Sequence, residues 1–304
     1  KLLKALFKVF NAQDVVNWFA EKGVLLKSEP DGRMFPVTDN SMTIIDCFLR
    51  EASRHKIELE TKQGVTGVQL EEENFSIQTD GEKIYQGKAI LVATGGNVNP
   101  QAYRWITNLG HTILKPIPSL FTFNDQSKKF NDLMGISVPD AVVRIVGTKL
   151  FERGPVLITH WGLSGPAVIK LSAWAAEHLH AVDYKFDVQV SWIDSVKEEE
   201  LRAKLQLHKS TSGKQKIHTN PMYFVPQRLW QRLCELSEIE ESRIWSEIGQ
   251  KQLNRLIEHL IRCPFQIKGK TTFKEEFVTC GGVDLKEIDP ETMESRVVKN
   301  LYFA

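Results

Sequence analysis

The sequence predicts an α/β protein of two domains, and three observations carry that reading. At about 150 residues per domain, 304 residues make two. A meander of short strands leads into Lys88–Thr94, whose continuous apolar centre suits a strand buried on both faces of a parallel sheet. From about Leu114 the pattern changes to strands separated by proline-bearing loops, then to a helical stretch, then back to strand.

Each element follows from local periodicity. Residues 1–22 read as helix: Leu2, Leu3, Leu6, Phe7 and Phe10 recur at helical spacing, and Val15, Val16 and Phe19 resume it after a break. Gly23 suits the closing position. Val24–Lys27 and Arg33–Val37 are short strands around the turn at 28–32. A second helix spans about Ser41–His55, capped by Asp39, Asn40 or Ser41. Ile57–Thr61, Gly64–Glu71, Phe75–Thr79 and Glu82–Gln86 then read as strands, with Asp80-Gly81 as a hairpin turn. Beyond Leu114 come strands at Ser119–Phe123, Ala141–Val146 and Val156–Thr159, with Pro116, Pro118, Pro139 and Pro155 in the loops. A helix opens at Gly165-Pro166 and runs to about Leu179. Tyr184–Trp192 alternates cleanly as a half-buried strand, and 195–262 is helical, with a polar break at Ser210–Gln215. Phe265–Lys268 and Glu276–Thr279 return to strand.

Composition narrows the function. Hydrophobic residues make up 42% and charged residues 25%, enough for a real core. The net charge of +1 creates no global field, which argues against nucleic acid or an acidic membrane as partner. No apolar run approaches a membrane span. Cys47, Cys234, Cys263 and Cys280 are too widely spaced for a zinc or disulfide framework, so no metal is expected. With no charged-then-apolar leader, the expected compartment is the cytoplasm. The chain begins in a helical pattern without Met and stops on Leu301-Tyr302-Phe303-Ala304, which reads as a buried strand, so it is expected to be cut at both ends.

Three segments could carry chemistry. Ile90–Gly96 is a strand running into two glycines, where a backbone can approach a phosphate or ring; a simple strand and turn explains it equally well. Thr159–Pro166 delivers His160 to a tight loop, with Ser164 or Gly165 capping a helix whose free N–H groups could hold an anion. His160 suits proton transfer near neutrality, although His160 and Ser164 can equally serve backbone groups. Glu276–Val283 is another strand entering a glycine pair, and Cys280 within it reads as a buried, inert thiol. Arg202, Lys204, Lys209, Lys214 and Lys216 form a basic run that could grip phosphates or simply be solvated. Trp161, Trp174, Trp192, Trp230 and Trp245 read as core. The chain contains no G-x-G-x-x-G, no P-loop, no H-E-x-x-H and no G-x-S-x-G.

Lys4–Phe7, Asp14 with Trp18-Phe19, Gly32–Pro36, Ala93–Gly96, Leu109–His111 and Pro118–Leu120 carry a resemblance that extends over essentially the whole chain. It continues through Thr159–Pro166, Phe277–Val283, Thr292–Ser295 and Leu301–Ala304. On these residues the chain resembles the aminoacetone-oxidase-like, BaiN/YhiN-type FAD-dependent flavoproteins. The resemblance implies a partial Rossmann-like FAD-binding domain interrupted by an inserted β-barrel plus helical subdomain. The implied boundaries are 1–113 and 276–304 for the FAD domain and 114–275 for the insert, with the barrel at 114–194 and 263–275 and helices at 195–262. Relatives of this type begin with a βαβ unit bearing the glycine fingerprint and end with a glycine-rich segment, and this sequence has neither. Where many relatives carry a longer segment after the Ala93–Gly96 motif, Asn97–Gln101 here leads directly into Tyr103-Arg104-Trp105.

The resemblance implies FAD as cofactor, NAD(P)H as reductant and a small-molecule substrate. It assigns Val65 to backbone contact with adenine, and Ala93, Thr94, Gly95 and Gly96 to the adenine and pyrophosphate side. Thr279, Gly281 and Gly282 would approach the isoalloxazine, and His160 would act as acid or base on the substrate face. Lacking the fingerprint, the chain is expected to hold FAD poorly. Two alternatives stand beside this one: a non-catalytic binding or scaffold module, and an RNA-acting flavoprotein gripping its substrate through Arg202–Lys216.

Overall fold

Asn11 interrupts the first helical pattern because its side chain accepts from Gln13 N, while Asp14 reaches back to Asn11 N at 2.8 Å. This capping box starts α1 (Ala12–Glu21). A computed structural model describes residues 7–29, 32–81, 83–193, 196–271 and 278–304; Leu2, Leu3, Leu6, Asp31, Glu82, Glu276 and Phe277 lie outside them. Two compact units emerge, one made of Lys1–Thr94, Gln101–Leu114 and Val283–Ala304, the other of Gly95–Pro100 and Lys115–Gly282.

In the first unit, α1 is followed by the hairpin β1 (Leu26–Ser28) and β2 (Met34–Pro36) and by α2 (Met42–Arg54). Of the three proposed caps for α2, Asn40 does the work, accepting from Met42 N at 2.9 Å. Phe19, Val24 and Cys47 form a small core, braced by a 2.8 Å ion pair between Lys22 and Glu51. The meander follows as β3 (Val65–Glu71), β4 (Asn74–Thr79) and β5 (Ile84–Gly87), all antiparallel. Residues 57–61 are not a strand. They alternate in sequence but have no ladder partner, and β3 begins only at Val65.

The strand β6 (Ile90–Val92) pairs in parallel with β15 (Leu301–Phe303), residue for residue. Expected burial on both faces is corrected here: Val92 is buried, but Leu91 is 64% exposed. Among the described residues β15 is its one sheet neighbour, and the core of Val68, Phe75, Ile106 and Leu301 receives only one face. The short helix α3 (Arg104–Asn108) contributes Ile106 to that core.

The second unit is built on a closed barrel in the order β10-β11-β8-β13-β12-β9. Its strands are β8 (Thr122–Asp125), β9 (Ser137–Ile145), β10 (Phe151–Thr159), β11 (Gly162–Ser164), β12 (Lys185–Ser191) and β13 (Cys263–Thr271). A separate pair joins β7 (Ile113–Ser119) to β14 (Val278–Val283). The prolines expected in loops sit inside strands instead. Pro116 and Pro118 lie in β7, which belongs to a two-stranded pair, and Pro155 sits at the register shift between Gly154 and Val156. Edges and bulges are where a missing N–H is tolerated. Pro139 lies within β9.

The helix expected over 165–179 breaks at Ala175 into α4 (Pro166–Trp174) and α5 (Ala176–Ala181). Ser172 on α4 takes Phe121 N at 2.8 Å, tying the helix to the chain entering β8. Three further helices lie between β12 and β13: α6 (Glu198–Thr211), α7 (Gln227–Leu236) and α8 (Gln250–Ile261). One continuous core joins the barrel to these helices and contains Trp192, Trp230 and Trp245 fully buried. Two of the tryptophans assigned to the core depart from it: Trp174 stands 74% exposed at the end of α4, and Trp161 is only partly buried.

Candidate cofactor site

In the first unit, parallel pairing sends the carboxyl ends of β6 and β15 out along the same edge. Ala304 N donates to Val92 O at 3.0 Å, so the two chain ends leave the sheet together, and Ala93 and Thr94 follow directly from β6. Ligands of α/β sheets bind outside such carboxyl ends. Val65 opens β3 opposite Thr79, where the register shifts before Gly67, and its side chain is partly exposed.

In the second unit, Gly96 lies against Thr279: a Cβ on Gly96 would collide with the Thr279 hydroxyl. The structure therefore brings these two predicted site residues together. Gly95 and Gly282 have φ of 68° and 116°, and a Cβ on either would meet nothing within 4 Å. Gly281 shares the left-handed region at 106°. Bare backbone facing open space suits close approach by a flat ligand. Cys280 is partly exposed, which corrects the expectation of a buried thiol. By contrast, burial pushes Cys234 and Cys263 up to about 12, so those thiols are inert at neutral pH.

His160 occupies the turn between β10 and β11, exposed and edge-on to Trp161 at 4.2 Å. Its neighbours serve the turn. The Thr159 hydroxyl spans to Gly162 N and O at 3.2 Å, and Gly162, at φ 148°, passes so close to Phe123 O that a side chain would not fit. Ser164 does not cap α4: it belongs to β11, and Gly165 takes the cap position, making no side-chain bond. A Cβ on Gly165 would lie 2.7 Å from Pro155 O, so this glycine permits strand–helix packing. The expected basic grip is largely committed elsewhere. Arg202 binds Glu198 and Asn254, Lys209 donates to Ile248 O, and Lys204 lies over the Tyr223 ring.

One cluster in the first unit went unassigned from sequence. His111 is buried, with Nδ1 2.9 Å from Glu287 Oε2 and Nε2 2.9 Å from Ser295 Oγ. Ser295 Oγ also accepts from Val297 N and Val298 N, so its proton points to His111. Glu287 accepts from Thr112 N at 2.9 Å, and Thr112, then His111, hold its carboxyl below the usual range. Order and partners resemble a nucleophile triad, but burial of His111 and the two amides on Ser295 make it a clamp on the segment leading into β15. Its signal was present as the quoted Leu109–His111 and Thr292–Ser295 motifs, 184 positions apart at their contact.

Among the described residues no group of three or more His, Cys, Asp or Glu is gathered to hold a metal, and no helix is long and apolar enough to cross a membrane.

A parallel strand pair with open carboxyl ends, joined in one chain to a closed barrel carrying helices, defines the class: a flavoprotein-type oxidoreductase fold with an inserted barrel. The chain belongs to the HI0933-like family, since the family's description "HI0933-like protein barrel and H2TH domain" matches residues 117–278, more than half of it. It is 24% identical over 305 residues to a 3-dehydro-bile acid delta(4,6)-reductase of Clostridium scindens, covering 98% of this chain and 74% of that protein. Two ribosomal RNA dihydrouridine synthases are similar: that of Haemophilus influenzae at 25% over 313 residues and that of Escherichia coli at 26% over 310. Each of these alignments covers 99% of this chain and 74% of the relative.

Proposed function

We propose that this chain serves an FAD-dependent oxidoreductase that saturates a carbon–carbon double bond, with NAD(P)H as the source of electrons. The observation that carries the reading is the bare, left-handed glycine backbone at Gly95 and Gly281-Gly282, with Thr279 closed onto Gly96. The relatives' names support the reaction type, because a delta(4,6)-reductase and a dihydrouridine synthase both imply two hydrogens added across a double bond. When bound, FAD supplies the two-electron transfer. Ala93, Thr94, Gly95 and Gly96 would hold the adenine and pyrophosphate side, with Val65 offering backbone to adenine. Thr279, Gly281 and Gly282 would flank the flavin ring. His160 would give or take the proton that completes the addition, and its exposure leaves it in exchange with solvent.

The sequence holds no G-x-G-x-x-G, the motif that cradles a pyrophosphate at a helix N-terminus, which should cost several kcal/mol of FAD binding. The purified chain should therefore be colourless and bind added FAD only weakly. Titration followed by flavin absorbance near 450 nm, roughly where any flavin absorbs, tests this. Gly282→Val should abolish the residual binding; because Gly282 sits at φ 116° within the second unit, where a β-branched side chain is strained, circular dichroism of the variant must show that it still folds. Stoichiometric flavin that survives Gly282→Val would remove the glycine backbone from the site.

A further inference from the structure

At the end of β13 the barrel holds a group that the flavin reading does not use. β13 and β8 lose register between Ile267 and Lys270, and Gly269 within that bulge has φ 88°. Bulges re-aim the side chains beside them. Here Lys270 comes level with Phe123, which is fully buried, and partners across a ladder share a face, so the lysine leaves the strand on its inner side. Opposite it, the chain entering β12 is bent by Asp183 and Tyr184, both at left-handed φ, 51° and 54°. Residues other than glycine adopt this conformation at an energetic cost, and such positions collect at functional sites. Gly269 N donates to Tyr184 O at 2.9 Å, joining the bulge to the bend.

The two irregularities gather three titratable side chains. Lys270 Nζ lies over the Tyr184 ring, 4.5 Å from its centroid, and 6.0 Å from that of Phe121. Tyr184 stands edge-on to Phe121 at 5.5 Å, and its hydroxyl lies 3.3 Å from His180 Nδ1 on α5. No carboxylate among the described residues pairs with Lys270, and Asp183, beside Tyr184 in sequence, is taken by Lys185 at 2.7 Å. Burial without a counter-ion holds the Lys270 amine below the ordinary lysine range. The Tyr184 phenol is pushed up, first by burial and then by Asp183, so it keeps its proton at neutral pH. A desolvated amine beside a protonated phenol is equipped to add to a carbonyl and then to expel water.

We propose that Lys270 is a covalent site for carbonyl compounds, aldehydes above all, with Tyr184 as the proton donor and His180 holding its hydroxyl. The free amine attacks the carbonyl carbon and passes a proton to the oxygen, giving a carbinolamine. Tyr184 protonates the hydroxyl, which leaves as water while the nitrogen lone pair forms the C=N bond. The iminium proton then returns to the Tyr184 phenolate, leaving a neutral imine; nothing is oxidised or reduced. Aldehydes are favoured because a partly buried amine admits a carbonyl carbon with one substituent more readily than one with two. The inference goes beyond the flavin reading, and its readout needs no FAD, so either can fail alone.

The test is reductive trapping of benzaldehyde on the full chain at neutral pH, with cyanoborohydride to fix each imine and peptide mass mapping to read the labelled lysines. Lys268, exposed on the same strand two residues away, is the internal reference. Lys270 should be labelled at least about tenfold faster than Lys268, as expected of a desolvated amine. In urea, where the fold is lost, the two should react alike. Equal labelling in the folded chain overturns the proposal, and so does a preference that survives unfolding, because sequence rather than the barrel would then cause it. Neither comparison needs a variant. Tyr184→Phe keeps the ring under Lys270 and removes the phenol, so trapping at Lys270 should slow severalfold while Lys268 is unchanged. Unslowed trapping in that variant, with circular dichroism like the parent's, overturns Tyr184 as the proton donor.

Discussion

In the barrel unit the six strands leave no open edge, and one core runs from Phe121 on the barrel to Leu260 on α8. In the other unit β6 and β15 pair only with each other among the described strands, and Phe10, Phe48 and Leu91 stand more than half exposed. Closure explains the contrast. A barrel satisfies its own backbone and encloses its apolar side chains, whereas a two-stranded parallel pair needs covering on both faces. The barrel unit should thus carry most of the chain's intrinsic stability, and the other unit should depend on a few specific interactions. Mutations can pull the two apart.

The largest expected effect is in the barrel unit. Trp230 is fully buried, and its Nε1 donates to Ile217 O at 2.7 Å. Trp230→Ala should cost roughly 3–5 kcal/mol, the usual range for emptying a large core site. Urea unfolding followed by hydrogen exchange should show that loss in the barrel unit alone. If both units shift together, they are not separate cooperative blocks and the contrast collapses.

A middle-sized effect belongs to the clamp. His111→Ala leaves Ser295 without its acceptor in a buried place, which should cost about 2 kcal/mol. Exchange protection should fall at Val297, Val298 and through β15, with the barrel amides unchanged. Unchanged protection along 295–303 would mean that β15 is held by its ladder to β6 rather than by the clamp.

What could be read from sequence was what local periodicity encodes. The β6 strand, a strand at Leu301–Ala304, the 185–191 alternation and the helical insert all appeared in the pattern of apolar residues, but the pairing of β15 with β6 did not. Exposure of Leu91 and Trp174 did not, because periodicity reports which faces could be buried and not whether a neighbour arrives. Prolines misled in the opposite direction: Pro116 and Pro155 punctuate loops on average, yet a strand edge and a bulge accept them. Of the candidate site, the glycines were legible and the contact of Gly96 with Thr279 was not. The run at 202–216, conspicuous in sequence, is engaged at Arg202, Lys204 and Lys209 by its own surroundings, which composition alone does not reveal.

The smallest effect sharpens the comparison by pH. Glu287 is partly exposed, and Thr112, then His111, hold its carboxyl below the ordinary 4.5. A depressed folded value means the unfolded chain binds the proton first. The stabilisation is therefore complete above 4.5 and is lost as pH falls through the folded value. Glu287→Gln keeps the side chain's size but removes the charge, so at pH 7 the variant should show less exchange protection across 284–303 than the parent. As pH falls through the lowered folded value the two should converge, because the parent's carboxyl is then protonated and also neutral. The barrel amides should follow the same course in both proteins. Parallel curves at every pH would show that Glu287 acts only by shape, and that acid sensitivity of its unit has another source.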